Sequence, residues 1–170
     1  SILPDATSLI KFENFFDEIL SFYSENIYFD LLLNVDKKPD TILHYFAKYC
    51  LNTQIFECFW NKIKVFFPND NKLRNFMLLN DHFGCNALMK SIKMQNEKTF
   101  FFLFEEIFCK FLNIKEFAFK RGFNGKNLLH YLAEYGSVSM IKLVLQKMKK
   151  EFSAEDFQNF LKLTTENNYN

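Results

Sequence analysis

The chain has 170 residues, with 21 basic and 20 acidic side chains and a formal net charge of +1. That balance argues against a general binder of nucleic acid or anionic membranes, which would carry a basic excess, so no nucleic acid is expected as a partner. The length suits one domain burying about 70% of its unfolded surface, and 24 Phe against 4 Gly and 3 Pro leave too few breakers for a many-turned β fold, so an all-α fold is expected.

From the N-terminus, "SLIKFENFFDEILSFY" (8–23) predicts a helix, and "ENIYFDLLLNVDKKPD" (25–40) predicts a short apolar segment leading into a turn. Next comes "PDTILHYFAKYCL" (39–51), whose frame returns degraded in "GCNALMKSIKMQN" (84–96) and more fully in "NGKNLLHYLAEYGS" (124–137). Thr41, Asn86 and Asn127 head the three copies. Leu43, Leu88 and Leu129 share one column, and His44, Met89 and His130 share the next. The period is 45 residues from Thr41 to Asn86 and 41 from Asn86 to Asn127. Self-similarity at such a period marks a repeat architecture.

Each unit divides into three pieces. A short helix (41–49, 86–94, 127–135) starts at Thr or Asn, side chains suited to capping the first free N–H groups. A longer helix follows (53–67, 97–112, 137–152). In the last of these, Met140, Ile141, Val144, Leu145 and Met148 form one apolar face, with Lys142, Gln146, Lys147 and Lys149 mostly opposite. The third piece is a polar hinge with a short apolar segment, as in "NKLRNFMLLN", "IKEFAFKRG" and "AEDFQNFLKLTT". The expected units are 36–80, 81–121 and 122–166. Residues 1–35 read as the tail of a preceding or capping unit and 167–170 as the start of a next one, which suggests a fragment of a longer protein.

Cys50, Cys58, Cys85 and Cys109 form no CxxC pair, and three scattered histidines add no metal spacing. No metal or other cofactor is expected. The thiols read as small buried hydrophobes of a reducing compartment, intracellular and either cytoplasmic or nuclear. No apolar run approaches the ~18 residues of a membrane span. The stretch 99–114 is broken by Glu105, Glu106 and Lys110.

A short helix opening T-x-L-H, preceded by a D-x-x-G turn and followed by a longer apolar helix, resembles the ankyrin repeat. That family follows roughly D-x-x-G-x-T-P-L-H-x-A-A-x-x-G in units of about 33 residues. Asp36, Thr41, Leu43, His44 and Ala47 match in the first unit, and Asp81, Gly84, Leu88 and Ser91 in the second. Gly125, Leu129, His130, Ala133 and Gly136 match in the third. The resemblance covers about 36–145. Pro39 stands where the family has the turn glycine and Gly122 where it has the turn aspartate. Ile42, Ala87 and Leu128 replace the proline, and Met89 replaces the histidine. The units are also about 8–12 residues longer than the family's, which is assigned to an extended second helix and an extra short helix per unit. The expected architecture is an all-α, ankyrin-like helical repeat solenoid. HEAT and armadillo arrays, with units of about 40–47 residues, are the alternative: their period fits better and their motif does not.

The resemblance implies that His44 and His130 bond nearby backbone and steady turns rather than catalyse. It also implies partner binding at the turn tips, here Lys37, Lys38, Asp40, His82, Cys85, Phe123, Asn124 and Lys126. The concave face of the first helices would add Tyr45, Tyr49, Lys90, Lys93, Met94, Tyr131, Glu134 and Tyr135. Tyrosine suits such a role because it buries large area at low entropic cost.

No other pattern points to chemistry. The pairs Glu105–Glu106 and Asp17–Glu18 point about 100° apart on a helix and do not converge on one substrate. The run at 147–150, "KMKK", reads as a solvated basic strip, Trp60 as core, and "NGKN" (124–127) as a glycine turn unlike a P-loop. The expected function is therefore a non-enzymatic protein–protein interaction scaffold, with self-association through the array ends as a further expectation. A second reading stays open: a regulatory or targeting segment of a larger protein, such as an enzyme, a channel or a microbial effector delivered into a host cell.

Overall fold

A computed structural model describes residues 40–67, 69–122 and 125–165, together with Ile10, Lys11, Asn14, Asp17 and Glu18. The regular elements among them are all helical. In chain order they are α1 (Ile42–Tyr49), α2 (Thr53–Phe66), α3 (Asp70–Met77), α4 (Ala87–Lys93), α5 (Glu97–Phe101), α6 (Ile114–Ala118), α7 (Leu128–Tyr135), α8 (Val138–Glu151) and α9 (Ala154–Thr165). Helix α5 runs on through a π-helical stretch, Phe102–Phe108, and a last α-turn, Cys109–Phe111.

Asparagine decides where many of these helices begin. The side-chain oxygens of Asn52, Asn69, Asn86, Asn96, Asn113 and Asn127 each accept from a backbone N–H in the first turn of α2, α3, α4, α5, α6 and α7. Ser137 does the same for α8. Each such cap contributes about 1 kcal/mol by satisfying a donor that has no intrahelical partner.

The 97–112 helix departs from the regular α-helix expected from sequence. Thr99, Phe100, Leu103, Phe104, Ile107 and Phe108 are buried, a pair every four residues, all apolar but Thr99. At 3.6 residues per turn, a four-residue repeat drifts by about 40° each turn. Loosening the winding lets the backbone keep that repeat on one side: the N–H of Cys109 bonds the carbonyl of Phe104, five residues back. Glu105 and Glu106 stay exposed on the other side.

The short helices α1, α4 and α7 pack side by side, with α4 in the middle. Behind them the phenylalanines assemble in local groups. Phe46 stacks on Phe59 at 4.1 Å and on Phe56 at 4.9 Å. Phe104 and Phe108 meet Phe117 edge-on. Phe119, Phe152 and Phe160 close a third group. Offset and edge-on contacts of this kind add about 0.5–1.5 kcal/mol each beyond area burial. Trp60 is buried against Phe111, as its sequence context indicates.

Polar contacts join segments about one period apart. Asn96 Nδ2 donates to the carbonyls of Ala47 and Cys50, 49 and 46 residues away. Arg74 pairs with Glu116 at a separation of 42, and Lys115 with Asp156 at 41. Ser137 Oγ donates to Glu97 at a separation of 40. No helix among the described residues is long and apolar enough to cross a membrane.

Candidate functional site

The turn 81–85 is built from its aspartate outward. Asp81 N–H donates to the Cys85 carbonyl at 2.7 Å, and Gly84 N–H to the Asp81 carbonyl at 2.9 Å. Gly84 takes φ +80°, the left-handed region where glycine meets no Cβ penalty. The Asp81 carboxylate accepts from Phe83 N–H at 2.9 Å and Cys85 N–H at 2.8 Å on one oxygen, and from Lys90 Nζ at 2.6 Å on the other. Both partners of that ion pair are buried. A buried pair of this kind is costly unless further hydrogen bonds support it, and here the turn amides satisfy the carboxylate side.

His44 ties α1 to this turn. Its Nδ1 accepts from Thr41 N–H at 3.0 Å, so the ring proton sits on Nε2, which donates to the Cys85 carbonyl at 2.9 Å. Burial holds the His44 pKa below the ordinary histidine value, against the opposing pull of Asp81. His130 repeats the near half of this arrangement: Asn127 N–H donates to its Nδ1 at 3.1 Å. Among the described residues its Nε2 has no such carbonyl distant in sequence, and the ring is only half-buried. Its pKa is also lowered, mainly by burial.

Gly122, Gly125 and Lys126 repeat the main-chain bonds of 81–85 without the carboxylate. Gly122 N–H donates to the Lys126 carbonyl at 2.9 Å and Gly125 N–H to the Gly122 carbonyl at 3.0 Å, with Gly125 at φ +71°. The sequence shows that Gly122 replaces the aspartate; the packing shows why. A Cβ on Gly122 would lie 2.0 Å from the Gly84 carbonyl oxygen, so the two turns stack backbone to backbone.

Between α1, α4 and the 81–85 turn lies a cavity of about 390 Å³, lined by Tyr45, Lys48, Tyr49, His82 and Phe83 with Asp40, His44 and Lys90 at its base. Tyr49 is 62% exposed and Phe83 52%. His82 Nδ1 lies 2.7 Å from Asp40 Oδ1, and its ring packs on Phe83 with centroids 3.9 Å apart. Burial pushes the Asp40 carboxyl up, but its bonds to His82 outweigh this and leave it below the usual carboxylate value. Ligand atoms of Asp40, Asp81 and His82 come within 4.8 Å of one another. Asp81 is nevertheless committed to two amides and the Lys90 ammonium, so the cationic partner of this cluster is already a side chain.

The structure sorts the residues expected at the interaction surface. Tyr49, Met94, Glu134 and His82 are exposed, and Tyr45, Lys93, Tyr135 and Lys126 are half-buried. Lys90 and Tyr131 are not surface residues: they are 5% and 2% exposed. Asp81 draws Lys90 inward, and the hydroxyl of Tyr131 accepts from the Cys85 thiol at 3.0 Å. Asp40 and Cys85, expected at turn tips, are buried as well. Lys37, Lys38, Phe123 and Asn124 lie outside the described residues. Phe83 was missed from sequence, because one apolar residue beside a turn glycine reads as core; its place at i+2 of the turn aspartate was the available signal.

The short helices α1, α4 and α7 present two rows of side chains at corresponding positions. Tyr45, Lys90 and Tyr131 form the inner row, and Tyr49, Met94 and Tyr135 the outer one. Tyr45 stacks on Tyr49 at 6.3 Å and Tyr131 on Tyr135 at 6.4 Å, the same i,i+4 contact in both helices.

The remaining candidates sit apart from this surface. Glu106 pairs with Lys110, Asp17 with Lys62, and Lys147 with Glu151, while Lys142, Lys149 and Lys150 are exposed. The four cysteines are free thiols. Burial raises the Cys109 pKa to about 11 and also raises those of Cys50 and Cys85, which leaves all three poor nucleophiles. Against known proteins, no family, no curated protein and no solved structure matches this chain.

Proposed function

We propose that this chain is a protein–protein interaction scaffold built as an ankyrin-like helical array. It binds through the outer row of the first helices and the adjoining turn tip, and is not an enzyme. The array reading is supported by the short–long–short order of the helices, by bonds that link segments about one period apart, and by two turns with the same backbone bonds. Nearest-neighbour contact of that kind characterises stacked repeats.

The observation that carries the binding role is the outer row, where Tyr49 and Met94 are exposed and Tyr135 half-buried, flanked by exposed Phe83. Aromatic side chains with a polar tip, set beside a pocket, are favoured anchors. The test is capture of partners from a cognate lysate by the native chain and by Tyr49→Ala/Tyr135→Ala, with folding checked by circular dichroism. Loss of a specific partner in the variant is the expected result. Identical capture by both proteins would remove the outer row from the function.

A further inference from the structure

The groove beside the 81–85 turn has a charge pattern that says what it accepts. Asp40 is hydrogen-bonded to His82 in its wall, and Lys90 at its base is paired with Asp81. Lys48 and Lys93 are left over. Lys48 Nζ lies 4.6 Å from the centroid of Tyr49, and Lys93 Nζ 4.5 Å from that of Phe83. Among the described residues neither has a carboxylate partner. Glu134, on the neighbouring α7, is held by Lys126 at 2.6 Å. Lys48 lines the cavity and rests over Tyr49, and Lys93 lies beside it over the ring of Phe83; such contacts are weak and leave the ammonium protons available.

We propose that this groove docks an acidic, aromatic-bearing peptide segment of another protein, with carboxylates met by Lys48 and Lys93 and a ring packed between Tyr49 and Phe83. The proposal rests on the scaffold reading and adds the chemistry of the partner. Asp/Glu carboxylates fit better than phosphate. Phosphate recognition favours the forked guanidinium of arginine, and the two arginines of the chain, Arg74 and Arg121, do not line the groove. Two separated ammonium groups instead match carboxylates spaced along a peptide. The aromatic walls supply the contact area that an exposed ion pair lacks, since such pairs alone contribute about 0–1 kcal/mol.

The experiment is fluorescence anisotropy with a labelled random copolymer of glutamate and tyrosine, titrated with the full chain at low and at physiological salt. Lys48→Glu/Lys93→Glu should bind about tenfold more weakly or worse, and raising salt should weaken the native protein. Lys147→Glu/Lys150→Glu, which places the same charge change elsewhere, should stay within about twofold. Should the first variant fail to fold, Lys48→Met/Lys93→Met keeps the apolar stems and must weaken binding in the same direction. No binding by the native chain, equal loss in both charge reversals, or undiminished binding by the Lys48/Lys93 variants would each overturn the proposal. So would tighter binding of a phosphoserine peptide than of the copolymer. The lysate comparison with Tyr49→Ala/Tyr135→Ala reads separately: if it shows a specific partner that the Lys48/Lys93 variants still capture, the scaffold reading stands and the acidic-partner inference falls.

Discussion

The turns at 81–85 and at Gly122, Gly125 and Lys126 share their main-chain bonds and stand on different side chains. In the first, a buried carboxylate gathers two amides and a lysine, and a histidine reaches in from α1. In the second the aspartate position is Gly122, and the column that supplied His44 supplies Met89. Yet both turns keep a left-handed glycine and the same pair of backbone bonds. The backbone course therefore belongs to the glycine and the main-chain bonds. The polar network is one way of holding it, and close stacking on the preceding turn is another.

The largest effect should come from breaking the first solution. Asp81→Ala strands the buried Lys90 and two turn amides and should cost about 3–5 kcal/mol in urea denaturation. Lys90→Met in the same background should recover part of that loss, because the uncompensated charge goes with it. If Asp81→Ala is nearly neutral, the carboxylate network does not hold the first turn.

Gly122→Ala should break the second solution at about 2–3 kcal/mol, since its Cβ would meet backbone rather than a side chain that can move. Gly125→Ala faces no neighbour within 4 Å and pays only for its positive φ, about 1 kcal/mol. Reversal of that order would mean that the two turns do not stack as described.

The histidines sharpen the comparison further. His44→Ala should cost about 2 kcal/mol, because it leaves the buried cross-link to Cys85 unmade, and His130→Ala less than about 1 kcal/mol. Both histidines have lowered pKa values in the fold. The unfolded chain therefore takes up protons near pH 6.5 that the folded chain resists. Their contribution is complete above about pH 6.5 and is lost as pH falls below it. Thermal melts between about pH 7.5 and 5.5 should show this decline, reduced more by His44→Gln than by His130→Gln. The lowered carboxyls of Asp40, Glu97, Glu134 and Asp156 act only at lower pH, where their stabilisation is lost by protonation.

The smallest expected effect is the most informative for function. Tyr49→Ala removes an exposed ring and should change stability by less than about 0.5 kcal/mol. If it nonetheless abolishes partner capture, the outer row is a binding surface rather than packing.

The sequence by itself determined that the chain is helical and where its main helices start. A local period, an asparagine at the head of most helices and a glycine after the turn aspartate are all properties of neighbouring residues, and short-range physics suffices to read them. It also placed the tyrosine, methionine and histidine columns in register. Only the tertiary structure decided which members of a column meet solvent. Tyr45 is half-buried, Lys90 and Tyr131 are buried, and Phe83 is exposed. The 81–85 turn decides two of these: Asp81 draws in Lys90, nine residues on, and Cys85 meets Tyr131, 46 residues on. The π-helical stretch of α5 and the close approach of Gly122 to Gly84 have the same origin: each is set by how segments distant in sequence fit against one another, and no local pattern records that fit.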